Sequence, residues 1–198
     1  VERRQLVLVA TCLASFTATL DNTVVAVALR DIQRDLGAGV SGLQGVVTGY
    51  TVALAALLLT GGTLADVAGR RRVFLAGLAV FGGASIACAA AGSVSALVVA
   101  RSVQGAGAAL VIPGGLAVLA DAYPDAGPRA RAIGIWAATG ALALAAGPIV
   151  GGLLVAAHGW RAVFEVNVPL CIAVAVVVLL APAGARAPAG RRLDLSGQ

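Results

Sequence analysis

The sequence predicts an all-α integral membrane protein with six spans, and three observations predict it. Of its 198 residues, 60% are hydrophobic and 12% are charged, about half the charged fraction usual in a soluble domain. Mean hydropathy is +0.97. Long uncharged runs, at 43–64 and 73–91 among others, are each able to cross a ~30 Å bilayer core as a helix that satisfies its own backbone. The charges collect between the runs. Six spans follow, at 6–29, 43–64, 73–91, 95–120, 132–157 and 162–181.

The first run follows Glu2, Arg3 and Arg4 and continues past the usual length of a secretory leader, so it reads as a retained span. It holds Asp21. A charge within a span costs about 2.5 to 3.5 kcal/mol on insertion scales, so an idle aspartate there is unexpected. Between the second and third spans lies Gly-Thr-Leu-Ala-Asp-Val-Ala-Gly-Arg-Arg-Arg, residues 62–72. Gly69 can take the positive φ that a reversal of the chain needs, and Arg70, Arg71 and Arg72 mark the cytoplasmic side. Placing that turn inside puts ten arginines inside (3, 4, 70, 71, 72, 129, 131, 186, 191 and 192) against three outside (30, 34 and 161). Both ends of the segment are then cytoplasmic.

The fourth span holds Arg101 in Arg-Ser-Val-Gln-Gly-Ala-Gly-Ala-Ala. Arg101, Gly105 and Ala109 share a helical face, and small residues at that spacing permit close helix approach, which is the main task read for the glycines. Arg101 and Gln104 are the candidates for function. Helical rise puts Asp21 roughly 22 Å up from the inner side, about 8 Å below the outer edge, and Arg101 roughly 9 Å deep from that edge. The two charges therefore sit at one level. The fifth span carries Gly140 and then Gly147-Pro148-Ile149-Val150-Gly151-Gly152. Pro148 removes a donor and predicts a bend, while Gly140, Gly147 and Gly151 predict a groove on one face. At the outer end of the sixth span Glu165 is expected to be hydrated or paired with Arg161. Asp121 and Asp125 are read as solvated loop residues. Cys12, Cys88 and Cys171 lie in separate apolar runs and read as core or lipid-facing residues. Residues 182–198, rich in Pro, Gly and Arg, read as a cytoplasmic linker towards a seventh span, so residues 1–181 form the bundle and the chain looks cut from a longer one.

Several function classes are excluded by the same residues. There is no Ser/His/Asp or Cys/His set and no metal-ligand spacing, and Gly-Arg-Arg-Arg lacks the Gly-Lys-Ser/Thr order of a phosphate-binding loop, so no enzyme is expected. The formal charge of +5 comes from arginines that flank spans. They imply contact with anionic membrane lipid and no nucleic acid. Heavy use of Ala, Gly, Val and Arg with no Lys is what a GC-rich bacterial gene tends to encode, which suggests a bacterial cell membrane.

Taken together, Gly-x-Leu-Ala-Asp-x-x-Gly-Arg-Arg after the second span and Arg-x-x-Gln-Gly-x-Gly-x-Ala in the fourth resemble the signatures of the major facilitator superfamily. Gly-x6-Gly-Pro-x-x-Gly-Gly in the fifth resembles the motif of its antiport, exporting branch. Leu20-Asp21-x-Thr23-Val24-Val25 and Trp160-Arg161-x-x-Phe164-x-x-Asn167-x-Pro169 are similar to signatures of the drug:proton antiporters with fourteen spans. Val67, Arg30 and Gly45 depart from the usual pattern, which has a basic residue, a proline and a tryptophan at those places.

The resemblance implies the N-terminal half of a facilitator fold, built from two inverted three-helix repeats in which spans one and four are equivalent. It implies a secondary transporter that exports lipophilic or cationic small molecules by alternating access. A proton gradient would drive it, with no cofactor. Asp21 would couple proton and substrate, tuned by Arg101 with Gln104, both charges facing the central cavity. Gly62, Asp66, Gly69 and Arg70 to Arg72 would form a cytoplasmic gate against the missing C-terminal half. Gly105, Gly140, Gly147, Pro148, Gly151 and Gly152 would serve packing and bending. A facilitator for an endogenous metabolite, and a truncated, non-transporting membrane fragment, stay open as alternatives.

Overall fold

A computed structural model of the chain describes residues 2–180, so the linker expected at 182–198 lies outside the described residues. In order the elements are α1 (Glu2–Leu36), α2 (Val40–Ala68), α3 (Arg70–Ala89), α4 (Val94–Ala122), α5 (Ala126–His158), α6 (Ala162–Glu165) and α7 (Asn167–Leu180). Among the described residues there is no strand. Among the described residues six spans are long and apolar enough to cross a membrane, with α6 and α7 together forming the sixth from Ala162 to Leu180.

Helix ends run past the apolar runs. α1 continues seven residues beyond Leu29 to Leu36. Hydropathy stops at Arg30, but the helix does not, because Ile32 stays on the buried stripe of Val24, Val25 and Ala28 while Arg34 pairs with Asp31 on the outside at 3.7 Å. The expected loop at 62–72 shrinks to one residue. α2 ends at Ala68 and α3 starts at Arg70, with Gly69 between them at φ 100°, a conformation that suits glycine. The sixth span is interrupted at Val166, where Pro169 has no N–H to give the Glu165 carbonyl. α5 is one unbroken helix through Pro148.

The pairing of helices follows the internal repeat. α2 lies along α4 as α5 lies along α1, and α3 flanks α4 as α7 flanks α1. Glycine sets the closest approaches. A Cβ on Gly105 would fall on the Tyr50 carbonyl of α2, and one on Gly61 would fall on the Ala109 carbonyl of α4. On the other side Gly147 sits against Thr23, Gly151 against Val24 and Gly140 near Ser15, so the small face of α5 receives α1. Gly62 and Gly152 make no such approach: a Cβ on the former would only touch Pro113, and one on the latter would meet no other element within 4 Å.

One expected result follows. Gly105→Ala drives a methyl group into the Tyr50 backbone and costs about 3 kcal/mol, the upper end of overpacking penalties, whereas Gly134→Ala, with open space around it, is neutral or mildly stabilising. Thermal unfolding in detergent checks this. Equal melting temperatures for the two variants would contradict the α2–α4 packing.

Two apolar clusters result. Leu20, Val24, Val25, Ile32, Leu97, Trp160 and Phe164 belong to one, and Ala14, Ala18, Tyr50, Phe74, Phe81, Val111 and Val174 to the other. On α1 the clusters change over between Ala18 and Leu20, and on α4 between Ala100 and Ala108. Polar residues occupy that junction.

Candidate functional site

Asp21 and Arg101 meet at the junction as an ion pair, both side chains 0% exposed. Asp21 Oδ2 accepts from Arg101 Nη1, and Asp21 Oδ1 accepts from Gln104 Nε2 at 2.9 Å and from Asn167 Nδ2 at 2.6 Å. Gln104 binds both partners, since its Oε1 accepts from Arg101 Nη1 at 2.6 Å. Its Nε2 also donates to Ser85 Oγ at 2.8 Å, and Ser85 in turn donates to the Phe81 carbonyl. Two other spans thus bond the carboxylate directly, and α3 joins them through Ser85.

The cation is held as closely. Arg101 Nε donates to the Val46 carbonyl at 3.3 Å, and the guanidinium carbon lies 4.3 Å from the centre of the Tyr50 ring and 5.8 Å from that of Phe164. Tyr50 is itself fixed, its hydroxyl donating to the Ala18 carbonyl at 3.0 Å. Rings on two other elements bound the charge from outside the hydrogen-bond network. Such an enclosure is what lets two charges persist away from water, because each has an opposite charge and further donors or acceptors.

The sequence placed Asp21 and Arg101 at one level, and the structure puts them in contact. It places them differently in one respect. They were expected to face a central cavity, but Tyr50, Phe164, Gln104 and Asn167 close over them, so the pair lies inside this bundle and not on its surface. Tyr50 and Ser85 escaped the sequence reading, and Asn167 and Phe164 entered it only as letters of a signature. A usable sign existed: Ser85 is the lone hydroxyl in 73–91 and Asn167 the lone amide in 162–181, and an isolated polar residue in a span needs a partner.

A second cluster surrounds the Arg70 turn. Arg70 donates to Asp66 Oδ1 through Nη2 at 3.0 Å and to Asp121 Oδ1 through Nη1, while Arg71 Nη2 donates to the Leu179 carbonyl at 2.9 Å. These bonds tie the ends of α2, α3, α4 and α7. Asp121, expected in a solvated loop, is in the last turn of α4 and is Arg70's second partner; Asp125 lies 3.8 Å from Arg4. Arg72 is exposed.

A third cluster occupies the opposite end. Arg161 turns away from Glu165, which is exposed, and pairs with Asp35 at 2.6 Å while stacking 4.2 Å above the Trp160 ring. The reason is geometric: the extension of α1 to Leu36 carries Asp35 to the α5–α6 turn, an extension that hydropathy did not reveal. All three cysteines are buried and free.

Comparison with known proteins places these features in a family context. The model of the Major Facilitator Superfamily matches residues 11–194. The chain is 45% identical over 193 residues to the multidrug resistance protein Stp of Mycobacterium tuberculosis, covering 98% of this chain and 36% of that protein. It is 43% identical over 191 residues to the tetracenomycin C resistance and export protein of Streptomyces glaucescens, covering 96% of this chain and 35% of that protein. Among solved structures, a peptide transporter POT in complex with sulfate superimposes with a TM-score of 0.76 at 20% identity, covering 87% of this chain and 37% of that one. The chain spans little more than a third of the length of these relatives.

Proposed function

The chain belongs to the Major Facilitator Superfamily, and on that premise we propose that it is the N-terminal six-span half of a proton-coupled exporter of lipophilic, often cationic, compounds. The observation that carries this reading is the sealed Asp21–Arg101 pair with Gln104 and Asn167. An aspartate buried among apolar helices is costly. One that can trade its guanidinium partner for a proton offers a coupling site, because the charged and neutral forms favour different arrangements of the helices around it.

In the arrangement described here the carboxylate accepts from Arg101, Gln104 and Asn167, three donors on its roughly four acceptor sites, with the guanidinium favouring the charged form. Protonation is favoured when that guanidinium withdraws. Movement of α1 against α4 would withdraw it, opening Asp21 alternately to a proton from outside and to a cationic compound from inside. The proton enters as the compound leaves, and no covalent chemistry is involved. The Arg70–Asp66–Asp121 cluster would fasten the cytoplasmic side, with Arg72 free to meet the other half. α2 and α5, of whose apolar windows only 11% and 17% are buried, would supply most of the surface that half covers. Both ends of the segment would be cytoplasmic, following the arginine bias.

The experiment uses the full-length transporter in inverted membrane vesicles. A fluorescent lipophilic cation is expected to accumulate when a proton gradient is imposed and to leak out on addition of a protonophore. Accumulation that ignores the protonophore would overturn proton coupling. Displacement of the dye by a polar metabolite alone would move the cargo to an endogenous compound.

A further inference from the structure

Outside the site itself, Asp35, Trp160 and Arg161 join three connections at one end of the bundle. Asp35 Oδ2 accepts from Trp160 Nε1 at 3.0 Å and from Arg161 Nη1 at 2.6 Å, and Arg161 Nη2 donates to the Ala91 carbonyl between α3 and α4 at 3.3 Å. This clasp does not stop at the surface. Trp160, only 4% exposed, meets Phe164 edge to face with ring centres 6.1 Å apart, and Phe164 is one of the two rings that bound Arg101.

We propose that Asp35 and Trp160 are positioning residues for Arg101: bonded to each other at the end of α1, they hold Phe164 against the guanidinium that faces Asp21. The contacts form a closed ring. They run from Asp35 through Trp160, Phe164 and Arg101 to Asp21, and α1 itself, about 21 Å of helix from Asp21 to Asp35, completes the circuit. A shift at the outer end of α1 therefore reaches the ion pair from both directions. Arg101 depends on this bracing because its Nη2 has no hydrogen-bond partner among the described residues. The rings, with Nε and Nη1, decide where the guanidinium sits.

The inference rests on Asp21 being the proton site. The titratable and charged groups around Asp21 are Arg101 on α4, Tyr50 on α2, Cys88 on α3 and Cys171 on α7, while α5 meets α1 through Gly140, Gly147 and Gly151. Arg101 is the one cation among them. A guanidinium held less firmly against the carboxylate makes the carboxyl easier to protonate.

The test measures gradient-driven efflux against pH in the full-length transporter, normalised to the amount of protein in the membrane. Trp160→Phe keeps an aromatic ring and removes the N–H; Asp35→Leu removes its acceptor. Both are expected to move the half-maximal pH upward by about half a unit, the size a partly lost cation–π contact gives. Asp35→Asn, whose amide oxygen still accepts from the indole, is expected to return the midpoint to that of the parent. Phe164→Met carries the same test at one contact's remove where Trp160→Phe fails to accumulate. Profiles that superimpose on the parent's, with only the amount or melting temperature reduced, would overturn the proposal and leave a purely structural clasp. An Asp21→Asn control that keeps the parent's pH-dependent efflux would instead overturn the site reading beneath it.

Discussion

Replacing Asp21 by Asn is expected to abolish gradient-driven efflux while leaving the transporter in the membrane. Asparagine is nearly isosteric, and its Oδ1 can still accept from Gln104 and Asn167. What it cannot do is carry a charge in one state and a proton in the other. Removing the anion also leaves Arg101 buried without its partner, which costs about 3 to 5 kcal/mol where a buried pair is broken. Part of that cost is offset by contacts that stay in place, namely the Gln104 and Val46 oxygens and the Tyr50 ring. The variant should therefore insert, bind a cationic substrate more weakly, melt at a lower temperature, and exchange labelled for unlabelled compound without responding to a proton gradient. Gradient-driven efflux at the parent's rate would show that the coupling proton sits elsewhere.

The second large effect is expected from Arg101→Leu. Here the orphan is a carboxylate with two amide donors and no cation, enclosed by apolar helices. Loss of the partner should cost about 3 to 5 kcal/mol where the carboxyl stays ionised, and less where it takes up a proton. Because Leu also gives up the stacking on Tyr50 and the bond to the Val46 carbonyl, the protein should be the less stable of the two single variants. Combining Arg101→Leu with Asp21→Asn removes both charges and is expected to recover much of the stability, since replacing a whole buried pair is often near neutral. It should recover none of the coupled efflux. Unfolding in detergent and vesicle transport, measured on all four proteins, make a double-mutant cycle that separates what the pair does for the fold from what it does for transport. Additive losses of stability would mean that the two residues do not interact as the structure has them.

How much of this was legible beforehand depended on the kind of residue. Asp21 and Arg101 stood out because a charge in an apolar run has few explanations, and the regular rise of a helix was enough to put them at one depth. Their contact with Gln104 was foreshadowed by its place three residues after Arg101, on the same side of α4. Ser85, Tyr50 and Asn167 were another matter. Small or amphipathic polar side chains are tolerated in spans, and which of them point at the same carboxylate is decided by helix rotation and packing, which one sequence does not encode locally. The closure of the site followed from the same limit. Nothing in the spacing of Phe164 or Tyr50 indicated that their rings would cover Arg101 and remove the pair from the bundle's open surface.

Helix ends failed for a different reason. Hydropathy reports where apolar side chains stop, but backbone hydrogen bonding continues through Arg30 to Leu36 and from Ala126 into the fifth span. The pairing of Arg161 with Asp35 depended on that unseen extension, so of the two states expected for Glu165, hydrated or paired with Arg161, the structure shows the exposed one. Gly69 succeeded because one residue's conformational freedom decides a one-residue turn. Gly140, Gly147 and Gly151 lie on the side of α5 that meets α1, as four- and seven-residue spacings fix on any helix, whereas Gly152, one residue on, does not.

The central claim, that Asp21 exchanges a proton for the exported compound, is tested most directly by proton release. Purified full-length transporter in weakly buffered detergent solution, at the acidic end of its transport profile where the coupling carboxyl holds its proton, is mixed with a saturating lipophilic cation, and the pH change is followed. The account predicts that the parent releases protons on binding and that Asp21→Asn binds the compound while releasing none. Undiminished release from Asp21→Asn would contradict it.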